Sequence, residues 1–122
     1  MAFYADDFYL DGLLDRLEDA TSITVCAGAP TSIADIGVRS LASGSITGGD
    51  WTKGAGSPDG RENELGQQED LSITDSGEAD HVAIDDGTNF YVTECPAQQL
   101  TSGGTVTVAS WAVTVRDPVE AA

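Results

Sequence analysis

The chain has 122 residues, 40% of them hydrophobic, and a formal net charge of -16 from 21 acids against five bases. That length supports a single domain over 1-122 that removes roughly two thirds of its unfolded surface from water without a cross-link. The charge excludes nucleic acid as a partner, because phosphate binding requires a basic surface and Arg16, Arg39, Lys53, Arg61 and Arg116 are scattered. Copies of so acidic a chain repel one another, so any assembly is expected to strengthen as salt screens the charge.

The first twenty residues carry acids where a secretion signal needs bases, and no apolar run approaches the roughly 20 residues of a membrane span. The expectation is a chain made in a cytoplasm, with no membrane partner. Over 6-20 a helix is predicted, capped by Asp6 or Asp7, with Leu10, Leu13, Leu14 and Leu17 in one apolar stripe. That stripe is expected to lie on the core, leaving Asp11, Asp15, Glu18 and Asp19 as a solvated face; the rival reading is an amphipathic peg for a partner. Ile23 and Val25 alternate with Thr24 and Cys26 in a first strand ended by Gly28 and Pro30.

From 31 to 67 the pattern dissolves, and eight of the fourteen glycines fall between Gly37 and Gly66. A loop or arm of that length is expected to have a task. Trp51 lies in it without a strand pattern to bury it, as an interface anchor or folded back on its own domain.

Leu71 and Ile73 alternate with Ser72 and Thr74. Further strands are predicted over 80-85, 88-95, 98-100, 105-108 and 111-116, with Asp86-Gly87 turning one hairpin and a second hairpin joining the last two. Seven strands suit an all-β antiparallel two-sheet sandwich with a short N-terminal helix. Its predicted inward positions are Ile23, Val25, Leu71, Ile73, Val82, Ile84, Phe90, Val92, Val106, Val108, Trp111, Val113 and Val115.

Chemistry is sparse. His81 is the only histidine, and neither a nucleophile elbow nor a cysteine is spaced to serve it. It is expected to bond within a sheet or at a subunit contact. Cys26 and Cys95 form no CxxC, which favours two free thiols over a disulfide or a metal site. Asp75, Glu78, Asp80, Asp85 and Asp86 lack the EF-hand order and read as acidic surface before weak calcium sites. No enzyme activity, cofactor or metal is expected.

Several short segments carry a family resemblance. They are Val25-Cys26 followed by Ala29-Pro30-Thr31, Gly60-Arg61 closing a Gly-rich middle, and Gly77 to Asp86-Gly87 enclosing Ala79-Asp80-His81-Val82-Ala83. Ala97-Gln98, Leu100-Thr101-Ser102-Gly103 and Asp117-Pro118 complete the set. In them the chain resembles the head decoration, or capsid cement, proteins of tailed bacteriophages. The resemblance implies a structural virion protein on the exterior of an icosahedral capsid, bound to the major capsid protein and to itself as a homotrimer. Leu10, Leu14, Trp51, Lys53, Arg61 and His81 are the residues expected at capsid or subunit contacts. The alternatives are a tail or head-to-tail completion protein, or a sugar- or calcium-binding β-module.

Overall fold

The computed structural model describes residues 11, 12, 14-56 and 60-115. Leu10, Leu13, the caps Asp6 and Asp7, Pro58-Asp59, Arg116 and Asp117-Pro118 lie outside the described residues. The described chain is mostly antiparallel β-structure, as expected of a sandwich of several strands. It divides into two compact units, each drawn from segments interleaved along the sequence.

The first unit draws on Met1–Asp19, Gly48–Gln67 and Ala109–Ala122. Numbering the strands in chain order, it holds β3 (Trp51–Ala55), β4 (Arg61–Leu65) and β9 (Trp111–Val115), with β4 in the centre. The register puts Trp51, Leu65 and Trp111 in one row across the sheet and Lys53, Asn63 and Val113 in the next. Side chains alternate between faces along a strand, so these rows share a face while Thr52, Glu64 and Ala112 stand exposed on the other. Trp51 and Trp111 meet edge to face, ring centroids 6.1 Å apart and planes at 74°. Residues 11, 12, 14 and 15 are helical and continue into a 3-10 turn at Arg16–Asp19, bringing Leu14 to 1% exposure.

The second unit draws on Ala20–Thr47 and Gln68–Val108. A four-stranded sheet runs in the order β2 (Ser40–Ser45), β1 (Ser22–Cys26), β6 (Gly77–Asp85), β7 (Phe90–Leu100). Ile23 stands opposite Ile84 and Val25 opposite Val82, all four buried. The ribbon of β5 (Gln68–Ser72) and β8 (Thr105–Val108) joins through the bridge Ala42–Ile73. Leu71 fills the space where a side chain at Gly44 would stand, its Cδ2 2.5 Å from the ideal Cβ position. On the opposite face α1 (Ile33–Arg39) sets Ile33 and Ile36 against Cys26, Ala83 and Val92.

Four expectations are corrected. Residues 31-67 are not a long loop: they hold α1, β2, β3 and β4. The helix starts because Ser32 Oγ accepts from the Asp35 N–H at 3.0 Å while Asp35 accepts from the Thr31 N–H at 3.0 Å, a reciprocal cap. Of the acids expected on a solvated face, Asp15 and Asp19 are exposed, but Asp11 and Glu18 are half-buried, because the sheet of this unit offers them cations and an amide. β8 and β9 form no hairpin: β8 pairs with β5 in one unit and β9 with β4 in the other. Finally, Phe90 is 39% exposed, since it begins an edge strand beside the turn at Asp86–Asn89; Val92, Val106, Val108, Trp111, Val113 and Val115 are half-buried.

Candidate functional site: the helix and sheet of the first unit

Four of the predicted contact residues, Leu14, Trp51, Lys53 and Arg61, come together in the first unit; Leu10 lies outside the described residues. Leu14, Asp11, Asp15 and Glu18 follow the i, i+3, i+4, i+7 spacing of one helical face, and that face meets the sheet. Lys53 pairs with Asp15 and, at 3.0 Å, with Glu18. Those carboxylates raise the Lys53 pKa above its ordinary value. Arg61 Nε donates to Asp11 at 2.9 Å. Asn63, fully buried, donates its amide to the Leu14 carbonyl at 3.3 Å and to Glu18 at 3.1 Å.

Leu14 and Trp51 are thus core side chains of this unit, and Lys53 and Arg61 answer acids of their own chain. The buried Asn63 Oδ1 and Trp51 Nε1 have no hydrogen-bond partner, which normally costs about 1–3 kcal/mol for each such atom.

His81 sits elsewhere, on β6 of the second unit. Its Nδ1–H donates to Asp80 Oδ1 at 2.8 Å, and the same oxygen accepts from the Gly28 N–H at 2.7 Å. Asp80, held by the ring, therefore ties the turn at Gly28 to the sheet. The backbone of His81 stands opposite Cys26 on β1 and Glu94 on β7. Burial pushes the Cys26 thiol up to about 11, so at neutral pH it stays protonated and is a poor nucleophile.

Cys26 and Cys95 are free. β6 lies between their strands, which sets them about 10 Å apart across the sheet, beyond the span of a disulfide. Burial also raises the Cys95 pKa, but Cys95 is only half-buried. Thiol titration with Ellman's reagent should find two thiols per denatured chain, and in the folded protein Cys95 should react well before Cys26. A single reactive pair lost to oxidation would contradict this placement.

Two more of the acids weighed for calcium, like Asp80, have other tasks. Asp85 accepts from the Gly87 N–H, and Asp86 accepts from Thr88 and Asn89 to shape the hairpin turn. Among the described residues no three His, Cys, Asp or Glu side chains are grouped to hold a metal.

His81 and the Gly28 N–H hold the Asp80 pKa below the carboxylate range; Arg39 and the Thr31 N–H do so for Asp35, and the Asn89 and Thr88 N–H groups for Asp86. A lowered folded-state pKa contributes stability above the unfolded value of about 3.9 and loses it as pH falls through the folded one. Acid titration followed by circular dichroism should therefore show a loss beginning near pH 4. Asp80→Asn should be less stable at neutral pH and lose less on acidification; an unchanged profile would contradict the linkage.

No protein-family model, curated protein or solved structure matches the chain. Among the described residues no helix is long and apolar enough to cross a membrane.

Proposed function

We propose that the chain is a structural virion protein that decorates and cements the outside of an icosahedral phage capsid. It binds the major capsid protein and other copies of itself, as a homotrimer, and catalyses no reaction. The observation that carries this reading is the resemblance spread from Val25-Cys26 to Asp117-Pro118. Its densest stretch, Gly77 to Gly87, falls on β6 and the turn that follows it.

Charge supports the reading from another side. All four described basic side chains, Arg16, Arg39, Lys53 and Arg61, are paired with acids of the same chain. The surface left for partners is acidic, which suits a body that must stay soluble at high copy number and ignore nucleic acid. A trimer spanning several capsid subunits gains avidity from modest contacts repeated by symmetry.

The test is to purify virions, wash them and quantify this chain against the major capsid protein by mass spectrometry. A fixed, high copy ratio is expected. Absence from washed particles, or the low copy number of a head-to-tail ring, would overturn the proposal.

A further inference from the structure

We infer that Lys53 and Asn63 are the two halves of an intramolecular isopeptide bond, which closes when Lys53 Nζ displaces ammonia from the Asn63 amide with Glu18 as proton carrier. The inference concerns the chain itself and stands whether or not a capsid is its partner.

The register brings the two reactants together. Lys53, the chain's one lysine, stands directly opposite Asn63 across the β3–β4 pair, on the face that meets the helical segment through Leu14 and Glu18. Cross-strand partners of this kind hold their Cβ atoms about 4.5–5.5 Å apart, a gap that a lysine stem bridges.

Glu18 joins the pair. One carboxylate oxygen, Oε2, lies 3.0 Å from Lys53 Nζ and 3.1 Å from Asn63 Nδ2. A group in contact with both the attacking and the leaving nitrogen is where a proton carrier has to be.

The amide is set up for attack as well. Nδ2 donates to Glu18 and to the Leu14 carbonyl at 3.3 Å, and these two bonds fix the plane of the group. Asn63 is fully buried, and its Oδ1 has no partner. In a purely structural asparagine that is a cost, whereas in an electrophile it leaves the carbonyl oxygen free to take up negative charge. Trp51 stands diagonally beside Asn63 on the same face, and its unpartnered Nε1–H is a donor that can serve that charge.

The step balances without a co-reactant. Glu18 takes a proton from the Lys53 ammonium, the freed amine attacks Asn63 Cγ, and the Cγ–Nζ bond forms as the Cγ–Nδ2 bond breaks. Glu18 returns its proton to Nδ2, which leaves as ammonia, and a second lysine proton goes to water. Asp15 and Glu18 hold Lys53 as an ammonium, so attack waits on the first transfer and the bond closes slowly. Once closed, it ties the β3–β4 hairpin covalently in a chain whose two thiols are free.

The test incubates the full-length chain at neutral pH and follows its intact mass. Bond formation makes the chain lighter by one ammonia. Trypsin then no longer cuts after Lys53, and residues 40-61 stay branched onto 62-116 through a link that reductant leaves intact. Glu18→Gln should slow the mass loss at least about a hundredfold, the share of a positioned proton carrier. Asp15→Asn removes the competing carboxylate from an exposed position and should speed it. Full mass retained by both the unaltered chain and Asp15→Asn would overturn the inference. So would equal rates for the unaltered chain and Glu18→Gln, or ammonia loss without the branched peptide, which is what cyclisation of Asn63 onto its own backbone gives. If Glu18→Gln does not fold, the branched peptide and the rate in Asp15→Asn decide.

Discussion

Asn63→Asp is expected to destabilise the first unit by about 3–5 kcal/mol, the cost of leaving a buried charge uncompensated. The side chain is fully buried and its amide donates to the Leu14 carbonyl and the Glu18 carboxylate. A carboxylate there replaces two donations with two repulsions. Lys53, opposite Asn63 on β3, already serves Asp15 and Glu18. Asn63→Leu makes the contrasting case. It forfeits the same two hydrogen bonds but also removes the unpartnered Oδ1, so its cost should be much smaller than that of the acid. Both tryptophans of the chain lie in this unit, so the fluorescence of Trp51 and Trp111 during urea unfolding reports on it. Equal losses for the two variants would show that packing alone, and not the amide, holds the helix.

Ile84→Ala is expected to cost about 2–5 kcal/mol, the range for deleting a large aliphatic side chain from a packed core. Ile84 is 2% exposed, on the β6 strand paired on both sides, directly opposite Ile23 on β1. The neighbours belong to a hydrogen-bonded sheet and cannot close the cavity without breaking register, which favours the upper half of the range. Val38→Ala supplies the control, since Val38 is 81% exposed and its loss should change stability by less than about 0.5 kcal/mol. Circular dichroism of urea unfolding measures both, and similar costs for the two would contradict the assigned core.

The legible parts of the fold are those whose inward positions are apolar. Ile23, Val25, Val82 and Ile84 alternate with polar residues, and all four are buried. Where the inward positions are polar, the pattern disappears. β4 reads Arg61, Asn63 and Leu65 inward and Glu62 and Glu64 outward, so alternation by hydropathy cannot find it. β3 carries Lys53 on its inward face for the same reason, and Gly54 hides it further. The first helical segment misleads in the opposite way. Asp11 and Glu18 look like part of a solvent face because their partners, Arg61, Lys53 and Asn63, lie far along the chain in a stretch without apolar alternation.

The candidate site was visible only as separate residues. Trp51, Lys53, Arg61 and Leu14 each stand out in the sequence, but nothing local indicates that they meet. Asn63, which holds Leu14 and Glu18, gives no such sign. Its one signal, an asparagine between two glutamates in an otherwise alternating run, depends on knowing that the run is a strand. Ser32 and Asp35, by contrast, sit at capping-box spacing and could have marked the start of α1.

The central claim, that this chain is an exterior cement of an icosahedral head, is tested most directly by a cryo-EM map of the particle produced with it. The account predicts density for both β-units on the outer surface, repeated at every local threefold position and touching neighbouring capsomers. A fully traced shell whose exterior holds no such density would contradict it.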